Sequence, residues 1–205
     1  SDTYKPLTGF SHGAAGIAYA LLRLYEVTQD QAYSRGAQQA IAYENSKFFQ
    51  EFGNWRQIIP TEEPSAAPVF WSTWCYGAPG IGLGRLGGLS SYKTDEILAN
   101  IEAALKTTQE TPLQQVDHLC CGNLGRCEVM WVAAHKLSHP QWYSAAQELA
   151  SRVVNRASQT GKYELFADLP TSVFNPCFFQ GLSGIGYQFL RLAHPESLPS
   201  VLLWE

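Results

Sequence analysis

Four short motifs recur along the chain, and each has a G-x-x-G core that opens an apolar stretch. The first glycines of these cores are Gly13, Gly77, Gly122 and Gly181. Glycine inside a helix costs about 1 kcal/mol relative to alanine, so helices that repeatedly begin with glycine need a structural reason. Either the helices approach one another closely at these points, or a tight turn precedes each of them. The irregular spacing of the motifs is typical of helical-hairpin repeats with loop insertions.

Amphipathic segments between the motifs supply the second helix of each predicted hairpin. They run from about Gln31 to Phe49, over DEILANIEAALKTT after the cap residue Thr94, and over PQWYSAAQELASRVVNRAS after Ser138 or His139. β-Branched residues are sparse and alternation is short-lived, so we predict little strand. The proline-containing stretch from Gly53 to Phe70 is predicted as an irregular loop. The fold class is therefore all-α, built from helix pairs whose inner helices begin around a common opening.

Composition excludes several classes of function. Of the 205 residues 16% are charged, and the net charge is -4 with the basic residues scattered along the chain. Neither a nucleic-acid surface nor a basic membrane-binding helix is indicated, and no apolar run is long enough to span a bilayer. The five cysteines, an odd number with two adjacent, favour a reducing cytoplasm over a disulfide framework.

The residues directly before the motif glycines carry the reactive side chains. Immediately before the first glycines stand His12, Tyr76, Cys121 and Gln180, and one position earlier stand Cys75 and Cys120. If the inner helices surround one axis, these side chains converge on one cavity. Helix N-termini also favour thiolate over thiol, through their exposed N–H groups and the helix dipole.

Cys75, Cys120 and Cys121 are candidates for a zinc site, because zinc prefers thiolates in tetrahedral geometry. Structural zinc usually has four protein ligands, whereas three ligands and an open position describe a catalytic site. Two other interpretations stay open, namely a vicinal cysteine pair without metal and three cysteines that are simply packed. His12 is either a catalytic group or a structural hydrogen-bonding residue, and Tyr76 is either a site residue or a packed aromatic.

The remaining cysteines and His118 receive plainer predictions. Cys127 falls within a predicted helix and is predicted to be a buried core thiol. Cys177 lies four residues before Gly181, where it either approaches the cavity or is a buried thiol, and we predict the buried thiol. His118 lies close to the cysteine pair and is predicted to contact these cysteines without being a metal ligand itself.

Taken together, the motifs resemble those of the lanthionine-synthetase cyclase (LanC-like) family. The matching stretches are GFSHGAAGIAYALLRL, WCYGAPGIGLGRL, the CCGNLG turn, GLSGIGYQFLRL and the closing LPSVLLWE, and they span nearly the whole chain. The resemblance is strongest to the C-terminal cyclase domain of class II bifunctional lanthipeptide synthetases. It implies an α/α toroid of helical hairpins, of which residues 1–205, with their four motifs, would be the C-terminal part.

The same resemblance implies a Zn²⁺ site formed by Cys75, Cys120 and Cys121, and catalytic roles for His12 and Tyr76. Most relatives have Cys-His where this chain has Cys120 and Cys121. The departure resembles a three-cysteine subgroup of cyanobacterial-type synthetases that process many precursor peptides. A third thiolate is expected to make a bound substrate sulfur more nucleophilic, which would give a fast and weakly selective cyclase.

The implied reaction is the addition of a peptide cysteine thiolate to dehydroalanine or dehydrobutyrine, which forms a lanthionine or methyllanthionine thioether ring. His12 would supply the proton that completes the addition. The implied partners are a lanthipeptide precursor and an upstream dehydratase domain in the same polypeptide. Because the chain begins at Ser1 without methionine, we expect it to be part of a longer protein. The missing hairpins would complete the substrate cavity, so the fragment alone is not assured of activity.

Two other functions compete with this interpretation. A non-catalytic relative would bind zinc and a thiol, such as glutathione or a peptide cysteine, without forming rings. An α/α-toroid glycosidase would need two carboxylates beside a sugar bond, and no Asp or Glu stands just before the motif glycines.

Overall fold

The computed structural model describes residues 6–58, 67–166 and 174–205. Within these ranges the chain forms seven α-helices and three short strands, so the all-α fold class is confirmed. Its contacts divide the chain into two compact units, residues 1–107 and 108–205. None of the helices in the described ranges is long and apolar enough to cross a membrane.

In the first unit, the strands of a small sheet come between the second and third helices in the order of the sequence. The helices are α1 (Ala14–Thr28), α2 (Gln31–Asn45) and α3 (Ala78–Gly87), and α4 (Asp95–Glu110) follows α3. The strands β1 (Phe48–Phe49), β2 (Asn54–Gln57) and β3 (Val69–Phe70) pair antiparallel in the order β1-β2-β3. Helix α1 packs against both α2 and α3.

The second unit consists of one helical hairpin and a further helix. Its helices are α5 (Asn123–Leu137), α6 (Pro140–Thr160) and α7 (Leu182–Ala193), and α5 packs against both of the others. Helix α5 is buried on every side from Asn123 to Ala133. Helix α6 instead buries a single apolar stripe that includes Trp142, Leu149 and Val153. The α5–α6 hairpin therefore has an inner and an outer helix, as the sequence predicts.

The predicted helix starts are confirmed. Each first motif glycine is the N-cap residue of a helix, and these are Gly13 for α1, Gly77 for α3, Gly122 for α5 and Gly181 for α7. The outer helices also begin where the caps predict. The backbone N–H of Ile97 donates to the Thr94 hydroxyl oxygen at 3.2 Å, and His139 is the N-cap of α6 with Pro140 in its first turn.

The sheet is the main difference from the sequence prediction. The helix predicted over Gln31 to Phe49 ends at Asn45, because Phe48 and Phe49 pair with β2 as a strand. The ring of Phe48 packs on Trp55 across the strand pair at a centroid distance of 4.7 Å, a kind of aromatic contact that stabilises sheets. The predicted loop from Gly53 to Phe70 contains β2 and β3, whereas its prolines Pro60 and Pro64 lie outside the described residues. Strands of two to four residues are too short for alternation to show in a sequence.

The G-x-x-G pattern follows from the way each loop folds back over the start of its helix. In three motifs the first helical N–H donates to a carbonyl of the preceding loop, in the pairs Ala14 to Leu7 at 3.0 Å, Asn123 to Val116 at 2.9 Å and Leu182 to Asn175 at 2.9 Å. The second glycine of the motif then meets the loop backbone directly. A Cβ atom on Gly16, Gly80 or Gly184 would lie 2.0, 1.8 or 1.9 Å from a loop carbonyl oxygen. Of the two reasons predicted for the glycines, the structure therefore supports the tight turn.

Helix α7 offers a direct test of this explanation, because two of its glycines differ only in their surroundings. A Cβ on Gly184 would lie 1.9 Å from the Phe178 carbonyl oxygen, whereas a Cβ on Gly186 would meet nothing within 4 Å. Gly184→Ala is therefore expected to lower the free energy of unfolding by about 1–3 kcal/mol through overpacking. Gly186→Ala is expected to raise it by about 0.5–1 kcal/mol, since alanine is the better helix former. Urea unfolding of both variants measures the difference, and equal effects would contradict the explanation.

Candidate metal and catalytic site

In the first unit, Cys75 and Tyr76 lie in the turn before α3, and hydrogen bonds between Thr73 and Tyr76 close this turn. The backbone N–H of Thr73 donates to the Tyr76 carbonyl at 3.0 Å, and the Tyr76 N–H donates back to the Thr73 hydroxyl oxygen at 3.1 Å. The same hydroxyl lies 3.3 Å from the Cys75 sulfur. Thr73 and Cys75 are both buried, while Tyr76 is partly exposed. The sequence places the cysteine correctly, but it gives no sign that Thr73 organises the turn.

His12 lies against this turn. Its ring stacks on the Tyr76 ring with centroids 5.1 Å apart and an interplanar angle of 23°, and Trp71 makes an edge-on contact with Tyr76 at a centroid distance of 5.5 Å. His12 itself is exposed to solvent. The loop of His12 can approach the turn of Cys75 closely because residue 9 is glycine. Gly9 has a φ of +102°, and a Cβ atom added to it would lie only 2.5 Å from the Cys75 carbonyl oxygen. The structure thus brings the rings of His12 and Tyr76 into contact, an arrangement that the sequence does not specify.

In the second unit, Cys120 and Cys121 form the turn that precedes α5. Their sulfur atoms are 3.4 Å apart, and neither residue is in a disulfide. The backbone N–H of Cys121 donates to His118 Nδ1 at 3.2 Å, and His118 is fully buried. On the other side, the Cys120 N–H donates to the Phe179 carbonyl at 2.9 Å, and Gln180 Nε2 lies 4.0 Å from the Cys120 sulfur. This contact places His118 beside the pair, and its role in supporting metal ligands stays a prediction.

A buried carboxylate holds the loop that leads to the cysteine pair. Asp117 accepts hydrogen bonds from Asn123 Nδ2 at 2.9 Å, from the Glu164 backbone N–H at 2.9 Å, and from the Arg156 guanidinium. Asn123 is the first residue of α5, so this carboxylate connects the loop to the helix that it opens. The turn is therefore fixed from several directions before any ligand binds, which suits a preorganised site.

Cys75, Cys120 and Cys121, the three cysteines at the motif positions, could hold a metal ion. Cys75 belongs to the turn before α3, and Cys120 and Cys121 belong to the turn before α5. Three thiols free of disulfides are a soft donor set, which suits zinc better than magnesium or calcium. Three protein ligands also leave one coordination position for another group.

The two remaining cysteines lie outside this group and differ from each other. Cys127 is fully buried in α5 and its S–H donates to the Ala146 carbonyl at 3.2 Å. Burial raises the pKa of the Cys127 thiol, so this side chain stays protonated in the core, as predicted. Cys177 was predicted to be buried as well, and this prediction is wrong because the residue is exposed. It precedes α7 in a loop segment whose backbone passes close to Gly181.

One supporting residue of the site comes from a distant part of the sequence. In the second motif, the loop carbonyl that would receive the first helical N–H is replaced by a side chain. The Ala78 N–H donates to Asn54 Oδ1 at 2.9 Å, and Asn54 Nδ2 donates to the Trp71 carbonyl at 3.1 Å. Asn54 belongs to β2, so the small sheet that the sequence does not predict is what positions this helix start.

Known proteins resemble this chain in sequence and in fold. Residues 1–203 match the sequence profile of the family described as lanthionine synthetase C-like protein. Over 215 residues the chain is 28% identical to the lacticin 481/lactococcin biosynthesis protein LcnDR2 of Lactococcus lactis subsp. lactis. This alignment covers 97% of the chain and 22% of that protein. The fold resembles that of nisin cyclase, with a TM-score of 0.73 at 20% identity over 93% of this chain and 47% of that chain.

The chain thus spans less than half the length of either of these relatives. At 20% identity the likeness to nisin cyclase shows the fold alone, and it confirms the predicted helical-hairpin architecture. The profile match extends over nearly every residue, including all four glycine motifs and the three grouped cysteines. The chain therefore belongs to the lanthionine synthetase C-like family.

Proposed function

We propose that residues 1–205 are the C-terminal part of a zinc-dependent lanthipeptide cyclase domain. The observation that carries the proposal is that three cysteines, none of them in a disulfide, stand directly before motif helices and could hold a metal ion, in a chain of this family. The substrate would be a precursor peptide that contains cysteines and dehydrated serine or threonine residues. A class II synthetase with an upstream dehydratase domain in the same polypeptide, acting in the cytoplasm, is the setting that we propose for it.

Cys75, Cys120 and Cys121 would be the protein ligands of Zn²⁺, and the donor set fits that ion. When bound, zinc would keep the cysteine of the substrate as a thiolate at neutral pH. The buried surroundings of Cys75 and Cys120 would keep bulk water away from this position. The hydrogen bonds of the Cys121 N–H to His118 and of the Cys120 N–H to Phe179 would hold the ligand turn in place.

The chemistry then needs one proton transfer, and His12 is the residue that we assign to it. The substrate thiolate forms a C–S bond to the β-carbon of the dehydro residue, and the electrons of the double bond move toward the adjacent carbonyl as an enolate. Protonation of the α-carbon completes the ring. His12 is exposed and can exchange protons with solvent, while its stack on Tyr76 limits the orientations of the imidazole. Tyr76 would therefore position His12.

Metal content is the first test. The parent chain is expected to hold one zinc per chain by mass spectrometry under reducing conditions, and Cys75→Ala and Cys120→Ala are each expected to lose it. Cys177→Ala is the matched control, because this cysteine is also free but is exposed outside the group. Zinc that persists in both ligand variants, or a parent chain without metal, would contradict the site.

Ring formation is the second test, carried out on the longer protein that contains this chain. A peptide with one dehydroalanine and one cysteine is the probe, and because cyclisation leaves its mass unchanged, loss of the free thiol is followed with a thiol-reactive mass tag. The tag should disappear in the presence of the parent protein and persist with Cys120→Ala. Zinc binding without ring formation would instead favour the non-catalytic thiol-binding function.

A further inference from the structure

We propose that Thr73 is a positioning residue of the metal site, whose hydroxyl donates a hydrogen bond to the Cys75 thiolate and so sets how strongly this ligand donates charge to the metal. The inference rests on the proposed zinc site. Thr73 is not a ligand candidate, and the sequence motifs do not mark it. It is 6% exposed and lies two residues before Cys75 in the turn that opens α3.

The geometry leaves the Thr73 hydroxyl in contact with three groups. Its oxygen is 3.3 Å from the Cys75 sulfur and 3.0 Å from the Tyr76 carbonyl oxygen, and it accepts the Tyr76 N–H at 3.1 Å. A hydroxyl has one proton to give, so the sulfur and the carbonyl compete for it. The Tyr76 carbonyl already receives the backbone N–H of Thr73 at 3.0 Å.

This competition is decided by charge. In the free thiol form, either the S–H or the O–H can donate in the contact between Thr73 and Cys75. Once Cys75 is a thiolate, only the hydroxyl can donate. A hydrogen bond to an ionised acceptor is roughly twice as strong as one between neutral groups, so the proton turns toward the sulfur. The Tyr76 N–H that points at the hydroxyl oxygen polarises the O–H further, in a buried environment where such effects are strong.

The consequence concerns the electron density of the three sulfurs. A set of three thiolates overcompensates the charge of a divalent cation, which weakens the pull of the metal on a fourth ligand. A hydrogen bond to Cys75 withdraws part of that charge, and orients the sulfur as outer-shell partners of metal ligands commonly do. Gln180 Nε2, 4.0 Å from the Cys120 sulfur, is a second and longer contact of the same kind within the other unit. Thr73 is the stronger case because its contact is shorter and its turn is buried.

Cobalt binding tests the inference with a readout other than activity. Co²⁺ alone is titrated into the parent chain, Thr73→Val and Thr73→Ser, and the sulfur-to-cobalt charge-transfer band and the affinity are recorded. Valine keeps the shape and removes the hydroxyl, so the sulfur electrons lie higher in energy and the band is expected to move to longer wavelength. The affinity is expected to fall about tenfold, the lower end of the usual effect of an outer-shell change. Serine keeps the hydroxyl and should restore both properties.

A second threonine supplies the control. Thr107 donates its hydroxyl to the Gly53 carbonyl at 2.7 Å, so Thr107→Val removes a comparable hydrogen bond that involves no sulfur. Its spectrum should match that of the parent. A parental band and affinity in Thr73→Val, beside a parent that binds one Co²⁺, would overturn this inference and leave the metal site standing. A parent chain that binds no Co²⁺ would overturn the metal site and this inference together.

Discussion

Replacing His12 with asparagine is expected to slow ring formation by about 10²–10⁴-fold, the usual contribution of a general acid or base. Asparagine can still form hydrogen bonds, but it cannot carry a proton to the enolate at neutral pH. Zinc content should stay the same, because His12 is not among the three grouped sulfurs. The rate is measured by loss of the free thiol of a peptide with one dehydroalanine, using the complete cyclase domain that we propose.

Two further variants make the His12 result specific. His194 is an exposed histidine at the end of α7, and His194→Asn should leave the rate unchanged. Tyr76→Phe keeps the aromatic ring that stacks on His12 at 5.1 Å and removes only the hydroxyl. A small effect in Tyr76→Phe agrees with Tyr76 as a positioning residue. A loss as large as that of His12→Asn would assign the proton to the Tyr76 hydroxyl, and an unchanged rate in His12→Asn would refute the role of His12.

The helix starts and the reactive positions could be predicted because local interactions determine them. A glycine that allows the loop to fold back over the first turn leaves its mark in the G-x-x-G spacing itself. Cys120 and Cys121 are adjacent in the chain, and Cys75 directly precedes Tyr76, so their relation to the helix starts needs no tertiary information. That the three cysteines act together as metal ligands is an interpretation of their repeat positions and stays a prediction.

The supporting contacts could not be predicted, because they depend on which distant residue reaches each position. Asn54 takes the place of a loop carbonyl at the start of α3, although it comes from a strand that the sequence does not indicate. The contacts of the Thr73 hydroxyl with Cys75 and Tyr76 depend on the conformation of the turn, which the sequence does not specify. The burial of Cys177 could not be predicted for the same reason. Its distance in sequence from the last motif glycine does not indicate whether another element covers the side chain, and the residue is exposed.

Two arginines with the same neighbours illustrate how far local sequence reaches. Arg23 and Arg191 each stand within a Leu-Arg-Leu near the end of a motif helix. Arg23 is exposed and pairs with Glu26 on its own helix at 2.7 Å. Arg191 is buried, and its Nε donates to both carboxylate oxygens of Glu128 on α5, at 2.9 and 3.1 Å. The difference lies in the neighbouring helix, which a local pattern cannot describe.

Breaking the ion pair between Arg191 and Glu128 is expected to cause the largest loss of stability. The Glu128 carboxylate is 1% exposed and also accepts hydrogen bonds from Gln188 Nε2 at 2.7 Å and from the Ser200 hydroxyl at 2.6 Å. It thereby links α5 to α7 and to the segment after α7. Arg191→Met removes the cation and leaves a buried carboxylate without its counter-charge, which is expected to cost about 3–5 kcal/mol. Urea unfolding of the chain measures the loss.

The same substitution at Arg23 is the matched control, because Arg23 also stands within a Leu-Arg-Leu but is exposed. Arg23→Met removes an exposed pair and should cost at most about 1 kcal/mol. Adding Glu128→Gln to Arg191→Met removes the unpaired charge, so the double variant should be more stable than Arg191→Met alone. Equal losses for the two arginines, or a double variant that is less stable still, would show that packing of the Arg191 stem rather than its charge holds α7 to α5.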